Sequence, residues 1–201
     1  MQGGAGMANW VRPVTMALGM SAVLVGITLV GVWAAQGDSW QVSRRRAIAA
    51  GGPALHRHLD DLKAFDAWQT LERRDEPPTT TFSTPSGGVG AWMEQRTARA
   101  VSKTTITSLS ADVVRYEFES TGFLGTGQSR LDVVLHPAGD RTDVEASFTG
   151  RFTFVTRLMW PLFRKGLTSA VGDHLDSSLA TLEQRVMSEV AGGTPLPDRG
   201  P

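Results

Sequence analysis

The stretch Leu167–Val190, LTSAVGDHLDSSLATLEQRVMSEV, decides the architecture. Leu167, Val171, Leu175, Leu179, Leu182 and Val186 recur in it at steps of four, four, four, three and four. That is an apolar stripe on a 3.6-residue period, the pattern of an amphipathic helix. Asp173, Asp176, Ser177, Thr181, Glu183 and Arg185 fill the polar remainder, and Gly192-Gly193 with Pro195 supply the stop. Such a stripe has to be covered, and most of what precedes it has a period of two.

Val114, Tyr116 and Phe118 alternate with Arg115, Glu117 and Glu119. Leu131, Val133 and Leu135 repeat the pattern, as do Val144, Ala146 and Phe148 against Asp143, Glu145 and Ser147. Thr79–Thr84, Val89–Thr97 and Val101–Ser108 predict further strands, and Trp40–Ala50 a first one. Between the first strand and the rest, Gly51-Gly52-Pro53 breaks the chain. Leu55, Leu59, Leu62, Phe65 and Trp68 then predict two short helices. Tight turns such as His136-Pro137-Ala138-Gly139-Asp140 imply an antiparallel meander that is apolar on one face.

The expected fold class is α+β: a curved antiparallel sheet wrapped around the long C-terminal helix. A bent sheet around a helix can enclose a cavity. Tyr116, Phe118, Leu131, Val133 and Phe148 would line it from the sheet, and Leu167, Val171 and Leu175 from the helix. Ile106, Leu135 and either Trp92 or Met93 extend the inward set. An apolar lining with few polar groups suits a small hydrophobic or lipid-like ligand.

The amino-terminal end has a different character. Residues 1–12 are Gly-rich and read as disordered; 13–37 carry no charge, and Val14–Ala35 is almost wholly apolar or small. Those 22 positions span roughly 33 Å as a helix, enough for a bilayer core of about 30 Å. Trp10, Trp33 and Trp40 stand where interfacial aromatics belong. A cleavable signal peptide is the competing reading, but its apolar region is shorter, about 7–15 residues. The expectation is one N-terminal transmembrane helix at 13–37, a folded domain at 40–191 and a disordered tail at 192–201. Arg44, Arg45 and Arg46 tilt the Lys/Arg count slightly toward a cytoplasmic domain, unless the triplet belongs to a strand.

Twenty basic and twenty acidic side chains in 201 residues cancel, so no global field attracts nucleic acid. Cysteine is absent, which excludes disulfides, thiolate metal sites and a cysteine nucleophile.

These segments, in this order, resemble the START-like, or polyketide cyclase/dehydrase (SRPBCC), superfamily from about Ser43 to Leu182. Arg45-Arg46-Ala47-Ile48-Ala49-Ala50, Pro53 and His58-Leu59-Asp60-Asp61-Leu62 look like its first strand and helix pair. Phe65-Asp66-Ala67-Trp68 resembles the close of that pair, and Pro85-Ser86-Gly87-Gly88-Val89-Gly90-Ala91 its glycine turn. Leu135–Gly139 with Arg141–Val144 is similar to its penultimate hairpin. Leu71 stands where the family often carries a second Trp, and His174 or Leu175 where it often has an aromatic or acidic residue. The resemblance implies the helix-grip fold shared with the birch-pollen allergen and lipid-transfer domains; it says little about a reaction.

Chemistry-bearing residues are sparse. His56 and His58 point to different sides of a helix, and His136 and His174 stand alone, so no metal or cofactor is expected. His174, flanked by Asp173 and Asp176, either faces the cavity as a general base or sits at the edge of the stripe. Tyr116, the single tyrosine, either anchors a ligand or fills the core. Glu94 and Arg96 share a face with Trp92 as a buried or an exposed pair. No nucleophile elbow, phosphate loop or paired catalytic carboxylates occur. Phe152–Phe163, crowded with aromatics and carrying Arg151, Arg157 and Arg164 in or beside it, reads as a short helix or lid. It would either touch lipid headgroups or pack on the cavity mouth. Binding therefore leads over a cyclase- or hydrolase-type enzyme, which needs two convergent titratable groups inside, and over a non-catalytic interaction module, which needs no cavity.

Overall fold

The architecture is given by a computed structural model that describes Gly31 and residues 37–69, 78–122, 125–152 and 154–192. Seven strands form one antiparallel sheet: β1 Ser39–Ile48, β2 Thr79–Phe82, β3 Trp92–Arg96, β4 Ala100–Leu109, β5 Val113–Gly122, β6 Gly125–Ala138 and β7 Arg141–Arg151. Helices α1 (Gly52–Leu59) and α2 (Leu62–Trp68) follow β1, and α3 (Phe154–Gly192) follows β7. The sheet order is β1-β7-β6-β5-β4-β3-β2, so the first strand crosses to pair with the last while the others form a meander.

The period-two pattern sets which face each strand buries. On β5 Val114, Tyr116 and Phe118 are buried, and opposite them on β6 lie Val133, Leu131 and Ser129. Met93 is buried and Trp92 is not, so Trp92, Glu94 and Arg96 face outward. Glu94 and Arg96 form a solvent-facing pair at 2.7 Å, and the Lys103 ammonium lies 5.5 Å from the centre of the Trp92 ring.

Local chemistry fixes the two short helices. Asp61 caps α2 by accepting from the Lys63 and Ala64 amides at 2.8 and 3.3 Å. Its other carboxylate oxygen accepts from the Ser86 hydroxyl at 2.9 Å. That tie fastens the glycine turn to the helix junction. Gly88 and Gly90 sit in the turn at φ of 87° and 88°, a region closed to most side chains.

The helix stripe is buried as its period requires, but only in part. Leu175, Leu179, Leu182 and Val186 are buried against the inner face of the sheet and the short-helix residues Leu55, Leu59, Leu62, Phe65 and Trp68. Val171 is half-buried against that cluster, and Leu167, one turn earlier, is also half-buried. Two charged pairs set the helix against β1: Arg44 with Asp176 at 2.8 Å and Arg46 with Glu183 at 2.6 Å. Arg45 points the other way, to Glu145 of β7 at 2.6 Å. The arginine triplet thus belongs to a strand.

α3 differs from the expectation of a short segment followed by a long helix. One helix runs from Phe154 to Gly192 with Pro161 inside it. An interior proline lacks a backbone donor and crowds the carbonyl four residues earlier, yet the helical run continues through it. The described residues fall into two compact units, 39–151 with 163–192, and those up to Asp38 with 152–162. In the second, Asp38 accepts from the Phe152 amide and the Arg157 guanidinium, each at 3.0 Å, and Phe152 meets Trp160 edge-on at 4.9 Å. Among the described residues no helix is long and apolar enough to cross a membrane. The expected span 13–37 lies outside them except for Gly31 and Gly37, as does the tail after Gly192.

Replacing Leu179, 1 % exposed, by Ala should cost about 2–5 kcal/mol of unfolding free energy. Leu162→Ala, at 78 % exposure on the same helix, should change it by less than about 0.5 kcal/mol. Denaturant unfolding followed by near-ultraviolet circular dichroism compares the two.

Candidate ligand-binding face

Cross-strand register arranges the inner face in rows. The first holds Trp40, Gly150, Ser129, Phe118 and Thr104 on successive strands; the second holds Val42, Phe148, Leu131, Tyr116 and Ile106. Deeper rows carry Arg44, Ala146, Val133 and Val114, then Arg46, Val144 and Leu135. Small residues in the first row leave room that aromatic rings fill. The Trp40 indole lies directly over Gly150, where any Cβ would collide with it.

An aromatic chain crosses these rows. Trp40 and Phe148 are 5.7 Å apart, Phe148 and Phe118 5.8 Å, Phe118 and Phe65 6.4 Å, and Phe65 stacks on Tyr116 at 4.2 Å. Phe65 also meets Trp68 edge-on at 5.1 Å. Each such pair adds about 0.5–1.5 kcal/mol beyond its buried area. The chain is closed at one end and open at the other. Tyr116, Phe65 and Trp68 are fully enclosed, whereas Phe148 and Trp40 are half-buried, as Val171 is on the helix.

The expected lining residues divide along this gradient. Tyr116, Leu131, Val133 and Leu175 are buried in the close-packed part. Phe118 is 8 % exposed, and Phe148, Leu167 and Val171 are half-buried toward the open end. Trp40 belongs with the open group although alternation alone did not single it out; its pairing with Gly150 could have, since a large ring opposite glycine on adjacent strands is a packing signal. Three hollows among the described residues border this face or lie apart from it. One of about 350 Å³ lies around Glu117, Glu119, Arg130 and Arg151 of the outer face and reaches Phe118 and Ser129 of the first inner row. A second of about 420 Å³ lies between Asp60-Asp61 and the glycine turn. A third of about 520 Å³ lies between β1 and α3.

Titratable groups do not converge on the inner face. The Tyr116 hydroxyl donates to the Leu59 carbonyl, so it is committed to the core, and burial, with the Asp60 charge second, holds its pKa well above 10.0. His58 is buried on α1 with Nε2 at ion-pair distance, 3.2 Å, from Glu189 on α3. His174 is half-buried, its Nε2 3.5 Å from the Ser178 hydroxyl one turn later. His56 donates to the Ala111 carbonyl at 2.6 Å, and His136 is exposed, 3.7 Å from Glu145. Burial raises the Asp66 carboxyl, partly offset by the Gln95 amide donating to it at 2.8 Å. Among the described residues no group of three His, Asp or Glu side chains could hold a metal.

No protein-family model and no curated protein matches the chain. Solved structures do match. TTHA0849 from Thermus thermophilus aligns at a TM-score of 0.52 and 18 % identity, over 77 % of this chain and all of that one. Mll3558 from Rhizobium loti aligns at 0.52 and 15 % identity, over 71 % and 96 %. Norcoclaurine synthase from Thalictrum flavum, solved with dopamine and hydroxybenzaldehyde, aligns at 0.50 and 12 % identity, over 75 % and 87 %. The fold is of the helix-grip kind. At these identities the likeness establishes the fold and carries no residue roles. The helix-grip frame places the aromatic chain on the inside of the sheet, facing the stripe of α3.

Because Tyr116 is the single tyrosine, its ionisation can be read without interference. A folded pKa above the unfolded value means its stabilising effect is intact below about pH 10 and is lost as pH rises further. Absorbance near 295 nm should therefore show no tyrosinate in the folded protein at about pH 10, with ionisation coinciding with alkaline unfolding. Tyr116→Phe should cost about 1–2 kcal/mol at neutral pH, by loss of the bond to Leu59, and should flatten the alkaline limb of the stability curve.

Proposed function

We propose that this chain is a membrane-anchored helix-grip protein of the START-like kind that binds a small hydrophobic or lipid-like molecule. The observation that carries the reading is the open end of the aromatic chain. Trp40, Phe148 and Val171 present apolar surface that the fold leaves half-covered. Apolar surface of this kind, inside a sheet that grips a helix, is where a ligand removes most water. Norcoclaurine synthase, similar in fold, holds small aromatic molecules in its structure, which supports a ligand of modest size. Phe118, Phe148, Leu167 and Val171 would contact it, while Tyr116, Leu131, Val133 and Leu175 form the packed floor behind.

A cyclase- or hydrolase-type reaction has less support. Tyr116 is used by the Leu59 carbonyl, and no second titratable group is brought to it on the inner face among the described residues. Anchoring rests on the apolar run 14–35, directly upstream of β1. The arginine triplet that tilts the charge count is built into β1 with a carboxylate for each guanidinium, so it speaks for the fold as much as for the membrane side.

Native mass spectrometry of the full chain released from neutral detergent should show a small apolar adduct, recovered by organic extraction in near-stoichiometric amount. Val171→Asp, which puts a charge at the open end, should reduce that amount by roughly tenfold or more with little loss of folded protein. Absence of an adduct from the wild type, or an equal amount in Val171→Asp, would sink the binding reading. Alkaline carbonate extraction tests the anchor: the full chain should stay with the membrane pellet, and a chain lacking residues 1–38 should not.

A further inference from the structure

The hollow between β1 and α3 has a chemistry unlike the rest of the surface. Gln41, Ser43 and Arg44 of β1 line it on one side, and Arg164, Lys165 and Thr168 of α3 on the other, within about 520 Å³. The helix side follows from spacing: Arg164, Thr168, Gly172 and Asp176 are four apart and stack in one column, with Lys165 and Ser169 beside it. Arg44 is fixed at the foot of that column. Its Nε donates to Asp176 at 2.8 Å and its Nη1 to the Ser43 carbonyl at 3.0 Å. Its Nη2 rests on Gly172, where a Cβ would occupy the same space.

Higher in the column the charges are left over. Arg45, Arg46, Arg115 and Arg130 each have a carboxylate within 3.0 Å. Arg164 and Lys165 are exposed, and among the described residues neither enters an ion pair. The acidic groups of the same helix face are Asp176, already bonded to Arg44, and Asp173, 3.4 Å from the Ser169 hydroxyl. Three cations therefore meet two carboxylates, and the surplus lies beside Thr168 and Ser169. Guanidinium and ammonium donors around one concave space suit a phosphate; the Thr168 hydroxyl is committed to the Arg164 carbonyl at 2.7 Å and the Ser169 hydroxyl to Asp173.

Reach selects among sources of phosphate. Arg44 is nine residues beyond Ala35, the end of the apolar run, so fully extended chain places it at most about 30 Å from the bilayer edge. We propose that this hollow takes the phosphate of an anionic lipid headgroup, in addition to the apolar ligand of the preceding reading. The proposal rests on the anchor of the preceding reading only for the choice of lipid over free phosphate.

The test is isothermal titration of the full chain, in neutral detergent, with dihexanoyl phosphatidylglycerol below its micellar concentration. Saturable binding that weakens with added salt is expected, with dihexanoyl phosphatidylcholine weaker by roughly tenfold or more. The double variant Arg164→Gln/Lys165→Gln changes only exposed positions and should keep the wild-type Tm while weakening phosphatidylglycerol binding by roughly tenfold or more. Unchanged affinity in that variant overturns the site. Inorganic phosphate binding as tightly as the lipid overturns the headgroup assignment. Because the titration is done without a bilayer, its failure is separable from a failed carbonate extraction or a missing adduct.

Discussion

Everything in the folded domain depends on how one helix stripe meets one sheet face. Leu175, Leu179, Leu182 and Val186 lose their water only if α3 is rotated so that they look inward. The rotation is held by charge as well as by hydrophobic burial. Arg44 and Arg46 sit two apart on β1, and Asp176 and Glu183 seven apart on α3, so both pairs form only in one rotational setting. Exposed ion pairs of this sort contribute little net stability, about 0–1 kcal/mol each, but a wrong rotation would forfeit both and turn the stripe outward. Gly172 is part of the same device, since its bare backbone lets the Arg44 guanidinium lie flat against the helix.

The gradient of burial along that contact divides it into two parts. At the C-terminal half of α3 the side chains of helix, sheet and short helices are close-packed, and a ligand there would have to displace protein. Toward the N-terminal half the helix carries Val171 and Leu167 in half-buried positions, and the facing row of the sheet alternates large rings with Gly150 and Ser129. The fold thus separates a part that holds itself together from a part with uncovered apolar surface. The cationic hollow between β1 and α3 borders the second part: Arg164, Lys165 and Thr168 line it from the polar side of the helix, and Val42 and Arg44, of the inner rows, line it from the strand.

Much of the fold was legible in the sequence. Alternation on Val114–Phe118, Leu131–Leu135 and Val144–Phe148 correctly assigned the inner face, because a one-residue slip would expose every apolar side chain at once. The two short helices were legible from Gly51-Gly52-Pro53 and the leucine spacing. The face of β3 was not, since Trp92 and Met93 are both large and apolar; the structure buries Met93 and leaves Trp92 under a lysine. Continuity of α3 through Pro161 was also missed, because a proline reads as a break whenever its tertiary surroundings are unknown. Of the candidate site, the lining residues were legible by face. Their division into floor and open end was not, because depth depends on where the helix crosses the sheet.

The open ends of the sheet have a consequence for how these molecules behave beside one another. β1 and β2 are its two outermost strands, and an unpaired strand edge invites a second copy to add on. β2 is only four residues long, too brief to template much pairing. β1 is ten residues long, but three consecutive arginines occupy its middle. A second β1 laid antiparallel against it would bring six guanidinium groups into a short span. Each of those groups is already bonded to a carboxylate, so crowded chains would have to rearrange three ion pairs apiece along that border before zipping into a continuous ribbon.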